Sequence, residues 1–465
     1  MHRNDWHYPT SIRAGAGRVN ELADACRVTG IQRPLLITDS FLGSTDMIAS
    51  AVEDCRSQLG HCGLFDRVKG NPTGTNVAEG LHAYRTGGYD GVIAFGGGSA
   101  LDAAKAVALM SGQTRPLWDF EDINDNHLRA DPDGIAPVIA LPTTAGTGSE
   151  VGRASVITDE QAQVKRTILH IRMMPRIAIL DATLTLDLPR HLTAATGADA
   201  LTHCMESWCS PAWHPMAEAV SVKGMQMIKA FLPRVVADGQ DLEARQQMLV
   251  ASSLGAAAFQ RGLGGVHAIA QSLGALYDQH HGLLNAILLP YVLEANRSVL
   301  QTQMDDLAVY LRLPSPGFSG VMDWLLTLRE QIGIAHTLSE IGIDDREAER
   351  VGRMAFADGC SHTNPIRHSA EVYAQSFQPC SEGRVNHGCP ERGGHTASRP
   401  GLAEFRRAGP DRRRRAVAGS PGPPGIRQCT RLGRSRAADP GHPPHAFSPG
   451  LIDQAVDLGR GVAAL

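Results

Sequence analysis

Residues 91–110, GVIAFGGGSALDAAKAVALM, decide how the first part of the chain folds. An apolar run at 91–95 leads directly into Gly96, Gly97, Gly98 and Ser99 and then into a helical pattern, so the segment reads as strand, turn and helix. Three glycines let the backbone approach a phosphate closely, and the unsatisfied amides of the following helix start point at the anion. The run is neither the dinucleotide GxGxxG fingerprint nor a P-loop, whose GK[ST] ending is absent. Ser99 and Asp102 also have the spacing of a capping box, and a purely structural role for those two side chains competes with the phosphate reading.

Upstream, RPLLITD at 33–39 is a short apolar run with an acidic tip, the pattern of a buried parallel strand. A carboxylate at that place, Asp39, can accept hydrogen bonds from an adenosine ribose and repel an extra 2′-phosphate, which favours NAD over NADP. Capping of the local loop is the competing role. Downstream, PVIALP at 137–142 is a further strand and enters TTAGTGSEV, where Thr143, Thr144 and Thr147 could donate to ribose and phosphate oxygens or simply form a loop and N-cap. RIAILD at 176–181 gives one more strand. From residue 183 to about 377 helical periodicity takes over, in PRHLTAATGADALTHCMESW, ARQQMLVASSLGAAAF and GVMDWLLTLREQIG. The domain boundary is expected near residue 185.

The helical part contains a candidate metal site. Asp199 and His203 are four residues apart in a helical pattern, so both project from one face. His267 and His281 are the other candidates. Fourteen residues of straight helix rise roughly 21 Å, whereas ligands to one ion lie about 2 to 2.2 Å from it. The chain must therefore turn between them, at Gly274 or in the polar run Asp278, Gln279, His280. The competing reading is that each histidine is a satisfied core residue.

Composition bounds the rest. With 43% hydrophobic and 20% charged residues and a formal charge of -4, the chain has the character of a globular protein, with no membrane partner and no specific nucleic-acid partner expected. The N-terminal MHRNDWHYPTSIRAGAG lacks the apolar core of a secretory signal, which makes the cytoplasm the expected compartment. Nine cysteines without a CxxC pair argue against a disulfide framework or a structural zinc site. After residue 377 the pattern changes: 378–465 is rich in Arg, Gly, Pro and His, contains no lysine, and is expected to be disordered. Its DRRRR run at 411–415 could contact a polyanion. We read this segment as an out-of-frame translation, a hypothesis that an intact reading frame on resequencing near codon 378 would sink.

Taken together, NPT at 71–73, GGGSALDAAK at 96–105, PTTAGTGSE at 142–150, GADALTH at 197–203, HHGLLNAILLP at 280–290 and DGC...TNP at 358–365 resemble the iron-containing (group III) alcohol dehydrogenase family, from about Gly15 to Phe377. The resemblance implies a dehydroquinate synthase-like fold: an α/β N-terminal dinucleotide-binding domain (1–185) and an all-α C-terminal metal-binding domain (186–377). It implies metal ligands at Asp199, His203, His267 and His281, with Fe(II) or Zn(II) compatible with that donor set. Cofactor contacts are implied at Asp39, Asn71, Gly97, Gly98, Ser99, Thr143, Thr144, Thr147 and Lys165, and a homo-oligomer is expected. Where many members carry HxxxH, His267 is followed by Gln271, expected near the nicotinamide but unable to carry a proton at neutral pH. His280, where the family has proline or another residue, is not expected to be a ligand.

The implied reaction is reversible hydride transfer between a small primary alcohol and NAD, with the ion lowering the pKa of the alcohol oxygen or polarising the aldehyde. Rival readings are a sister reductase acting on maleylacetate, lactaldehyde or a hydroxy acid, a lyase that uses NAD transiently, and an inactive product of a damaged gene.

Overall fold

The computed structural model describes Tyr8 and residues 10–382. The expectations for the arginine-rich tail from 383 onward lie outside the described residues.

Strands and helices alternate first: β1 (Ser11–Ala14), α1 (Leu22–Thr29), β2 (Pro34–Asp39), α2 (Asp46–Leu59), β3 (Gly63–Val68), α3 (Gly74–Gly87), β4 (Gly91–Gly96), α4 (Gly98–Met110) and β5 (Val138–Pro142). After β5 come an antiparallel hairpin, β6 (Ala154–Asp159) and β7 (Val164–Leu169), and the last strand, β8 (Ile177–Leu180). Apart from the hairpin, the strands form a six-stranded parallel sheet in the order β1-β8-β5-β4-β2-β3.

Period-2 geometry explains why the central strands are apolar over nearly their whole length. Val92 and Ala94 of β4 join one core with Leu35, Ile37, Val138 and Ala140. The intervening Ile93 and Phe95 point the other way, to a second core with Leu36, Ile139 and Leu141. With both faces buried, neither set of alternating positions is left to charged residues.

The chain crosses from β3 back past β2 to β4, and the connection direction reverses between β2 and β4. At such a reversal the loops beyond the carboxyl ends of the strands diverge and leave a crevice. Asp39 ends β2 and Gly96 ends β4, so both border it.

Among the described residues eight α-helices follow: α5 (Arg190–Cys209), α6 (Pro215–Ala237), α7 (Leu242–Ala258), α8 (Gly265–Tyr277), α9 (His281–Tyr310), α10 (Gly317–Ile332), α11 (Ala348–Ala357) and α12 (Ala370–Glu382). Helix α5 is buried on every side from Thr193 to Cys209, enclosed by α6, α7 and α9. That is why its sequence shows little amphipathic contrast. The described residues of both halves fall within one compact unit.

The structure departs from three readings of the sequence. The expected change of character at 377 is passed by α12, whose backbone continues to Glu382. Strands β1, β3 and the β6–β7 hairpin were not expected. Gly274 is not the turn between the two histidines: α8 runs through it to Tyr277, and Asp278 makes the turn as a left-handed C-cap (φ 50°). A side chain at Gly274 would place its Cβ 3.0 Å from Lys165 Nζ, so the missing side chain serves packing instead.

Candidate active site

The glycine turn is built for close approach. Gly96 has φ 149°, outside the range of ordinary L-residues, and a Cβ there would stand 2.8 Å from Ala100 Cβ. At Gly98 a Cβ would fall 2.5 Å from Thr147 Cγ2, and at Gly97 3.4 Å from Thr144 Cγ2. Thr143 N donates to Gly96 O at 2.9 Å, which ties the start of the threonine loop to the end of β4. Gly97 is the N-cap of α4 and provides no side-chain cap, so the first amides of that helix stay open to an anion. Gly97, Gly98, Ser99, Thr143, Thr144 and Thr147 thus gather around one turn.

The capping box considered for Ser99 and Asp102 does not form. Ser99 lies within the first turn of α4, and the Asp102 carboxylate accepts from Ser149 Oγ (2.5 Å) and Val156 N (2.9 Å). Lys105 Nζ stands 3.3 Å from Asp102 Oδ1 and donates to the carbonyls of Ser149, Gly152 and Ala154. Burial lowers the pKa of Lys105, and Asp102 is the main opposing charge. Tertiary partners therefore claim the carboxylate, and Asp102 with Lys105 locks the threonine loop onto α4.

Asp39 has two uses at once. Its Oδ1 accepts from Phe41 N and Leu42 N, both at 3.0 Å, which is the loop-capping role. Its Oδ2 faces the glycine turn, 3.6 Å from the Cβ position of Gly96. Across the cleft, Lys165 Nζ donates to Asn71 Oδ1 at 2.7 Å, and Asn71 Nδ2 donates to Asp278 Oδ1 at 2.6 Å.

The helical half brings the acid and the histidines together. One ligand atom from each of Asp199, His203 and His267 lies within 4.8 Å of the others, and all three residues are buried. His203 Nε2 and His281 Nε2 are 4.0 and 3.9 Å from Asp199 Oδ1. Ligands held roughly 2.1 Å from one tetrahedral ion stand about 3.4 Å apart, so the set is nearly closed around a common point. Gly282 permits this closure, because a Cβ there would be 2.5 Å from Ala195 O and 3.0 Å from Asp199 Cβ, holding α9 away from α5. His280 is the N-cap of α9, its Nδ1 accepting from Leu283 N at 3.3 Å.

Asn285, one turn after His281, shows what the cluster is suited to hold. Its Nδ2 lies 2.7 Å from Asp199 Oδ1 and 3.1 Å from both His267 Nε2 and His281 Nε2. An amide has two hydrogens and cannot satisfy three acceptors. Its own Oδ1 is buried without a hydrogen-bond partner. Three acceptors thus converge on one amide nitrogen whose two hydrogens can satisfy only two of them, the donor arrangement a cation would complete.

Protonation states agree. Burial pushes His203 down to about 4 and His281 well below the usual histidine value, despite Asp199, so both are neutral near pH 7 and free to donate lone pairs. Burial would raise Asp199, but His203, His281 and His267 outweigh it and hold the carboxyl below the usual range.

His267 is oriented by a residue the sequence reading missed. Its Nδ1 lies 2.6 Å from Glu206 Oε2, while Glu206 Oε1 accepts from Val266 N at 2.7 Å. Burial disfavours charge on His267, but Glu206 more than offsets it and raises the pKa. In the neutral ring, donation from Nδ1 to the carboxylate leaves Nε2 as the lone-pair nitrogen, and a cation there would take the place of the second proton that Glu206 favours. The signal was present in the sequence: Glu206 is three residues from His203 and seven from Asp199, on the same helical face. Asn285, four residues beyond His281, was legible in the same way.

Gln271 is one turn after His267, and its Nε2 reaches Cys360 Sγ at 3.5 Å. The TNP motif has a structural use, since Asn364 Oδ1 accepts from Gly265 N at 2.9 Å and closes the start of α8.

A crevice at a strand reversal, together with a cluster of one carboxylate and three imidazoles of which Asp199, His203 and His267 are buried, matches what a nicotinamide-linked, metal-using dehydrogenase needs. Residues 9–182 match the family model described as iron-containing alcohol dehydrogenase, and residues 193–376 match its C-terminal counterpart. The chain belongs to the iron-containing alcohol dehydrogenase family, and the match ends before the arginine-rich tail. It is 35% identical to 4-hydroxybutyrate dehydrogenase of Cupriavidus necator, over 80% of this chain and 98% of that one. It is 31% identical to the NAD-dependent methanol dehydrogenase of Bacillus methanolicus, over 79% and 97%. Among solved structures, a 1,3-propanediol oxidoreductase superposes with TM-score 0.77 at 31% identity, covering 81% of this chain and 99% of that one. The chain is an oxidoreductase acting on CH–OH groups, a metal-dependent alcohol dehydrogenase, and the sister-reductase reading is not favoured. Among the described residues no helix is long and apolar enough to cross a membrane.

Proposed function

We propose that the enzyme interconverts small primary alcohols and their aldehydes using NAD, with Asp199, His203, His267 and His281 holding Fe(II), a set that Zn(II) can also occupy. The observation that carries this reading is the convergence of donors from Asp199, His267 and His281 on Asn285 Nδ2, an atom unable to satisfy them all, with His203 beside them. A divalent ion held there supplies a Lewis acid that lowers the pKa of an alcohol oxygen and polarises an aldehyde carbonyl. Glu206 keeps the His267 imidazole in one tautomer, and burial keeps His203 and His281 neutral. The open amides of α4 and the threonines hold the pyrophosphate and ribose, with Asn71 and Lys165 nearer the nicotinamide. Gln271 orients substrate or water by hydrogen bonding and passes no proton.

On this reading the cofactor domain spans 1–185 and the metal domain 186–377. The short alcohols named for its relatives set the expected substrate size, and a cytoplasmic homo-oligomer is the expected form. The test is anaerobic reconstitution of the full chain with Fe(II) or Zn(II), followed by metal analysis and NADH absorbance over short-chain alcohols and aldehydes. Stoichiometric metal and NADH formation are expected. A reconstituted protein that oxidises no alcohol and binds no NADH overturns the proposal.

Asp39→Gly tests cofactor choice separately. Removing the carboxylate that faces the crevice is expected to raise kcat/KM for NADP about tenfold or more, an effect of about 1.4 kcal/mol. Unchanged discrimination in steady-state assays with both cofactors would leave Asp39 with its capping role alone.

A further inference from the structure

The hydrogen-bonded series Lys165, Asn71, Asp278 joins three distant parts of the chain across the cleft. Lys165 is on β7, Asn71 precedes α3, and Asp278 is the C-cap of α8. Asn71 and Asp278 both adopt left-handed backbone, at φ 55° and 50°, a conformation that Asn and Asp accept more readily than other non-glycine residues. Asp278 also occupies the turn between His267 and His281. One end of the series therefore belongs to the loop that spaces two of the clustered histidines, and the other to the β6–β7 hairpin, whose Lys165 Nζ also lies 3.0 Å from the Cβ position of Gly274 on α8.

We infer that Asp278 is a positioning residue for the cofactor, acting through Asn71 to aim Lys165 into the cleft between the glycine turn and the Asp199 cluster. This rests on the proposed function, from which the cofactor roles of Asn71 and Lys165 come. An asparagine amide can turn either end toward a neighbour, and the neighbours decide. Asp278 offers only acceptors, so it takes the NH2 end and leaves Oδ1 facing Lys165, which offers only donors. Without Asp278 the amide loses its orientation and Lys165 its fixed partner. The location of Lys165 supports this. Burial draws its ammonium down to about 8, and Asp278 leads Asp102 and Asp199 in opposing that, so it stands within electrostatic reach of α4 and of the cluster. His280 and His281 face it from α9.

Two substitutions separate orientation from folding. Asp278→Gly tolerates the left-handed backbone and removes the carboxylate, while Asp278→Asn tolerates it and retains an acceptor oxygen. NADH affinity is read from fluorescence titration of the metal-loaded full chain, alongside metal content and thermal midpoint. The expected result is an NADH Kd raised about tenfold in Asp278→Gly and within about threefold of wild type in Asp278→Asn, with metal content unchanged in both. The double variant Asn71→Ala/Asp278→Gly should bind NADH no worse than Asn71→Ala alone, since Asp278 acts through Asn71. Wild-type affinity in Asp278→Gly, equal loss in the asparagine variant, or additive losses in the double variant overturn the inference alone. A wild-type protein that binds no NADH overturns the proposed function and this inference with it.

Discussion

His267→Ala is expected to leave the purified protein without stoichiometric metal and to slow alcohol oxidation by about 10³-fold or more, because several kcal/mol of charge stabilisation are lost with the ion. The imidazole is the hub of the cluster. Its Nε2 shares the Asn285 amide with Asp199 and His281, and its ring stacks on His203 at 4.8 Å between centroids. Its other nitrogen meets Glu206. Truncation deletes one donor and leaves the buried Glu206 Oε2 without its partner, a cost of about 1 to 3 kcal/mol in its own right. His281→Ala removes a second donor and should behave alike. Gln271→Ala is the internal control, since its amide reaches Cys360 rather than the cluster and metal should stay bound. Metal analysis of the three proteins decides the matter: equal loss in all of them would refute the ligand assignment.

That contrast between His267 and Gln271 could be drawn from the sequence, because an imidazole can ligate an ion through a ring nitrogen whereas a glutamine amide at this position offers only hydrogen bonds. Strands β2, β4, β5 and β8 were legible for a related reason: a strand covered on both faces is apolar almost without interruption, and a short run of that kind bounded by glycine or an acid is too brief for a buried helix. The edge strand β3 alternates buried and exposed residues over only six positions, and β1 is largely exposed, so neither stood out. The β6–β7 hairpin carries Lys165 to Asn71 and Gly274, yet its sequence, ASVITD and VKRTIL, reads as ordinary mixed surface.

Some of the competing readings failed where a tertiary partner overrode a local rule. Asp102 has the spacing to cap α4, but Ser149 and Val156 claim its carboxylate. Gly274 looks like a turn residue, but its bare Cα makes room for Lys165. Asp278 was read only as part of a turn, and Asn285 was passed over although it lies four residues beyond His281. Their importance lies in which buried groups they face, and that is fixed only when α8 and α9 fold back on each other.

Glu206 is the residue on which the cluster's precision should depend most after the four proposed donors. Glu206→Gln nearly preserves the volume, but an amide offers one acceptor oxygen where the carboxylate offers two. The carboxylate serves two donors, Val266 N and the Nδ1–H of His267, so one of them must then face an NH2 group. If His267 is the loser, its ring can turn or change tautomer and withdraw Nε2 from the cluster. The expected effect is a metal affinity weaker by about 10- to 100-fold, the range found when the partner of a ligating histidine is changed. Glu206→Ala should be worse still, because it also opens a cavity beside α8. Chelator competition measures the affinity directly, and turnover at saturating metal separates weak binding from a distorted site. Recovery of most of the wild-type kcat in Glu206→Gln at high metal is expected, since all four donors remain in the chain. A wild-type metal affinity in that variant would mean that packing alone orients His267, and the hydrogen bond at 2.6 Å would then be incidental to ligation.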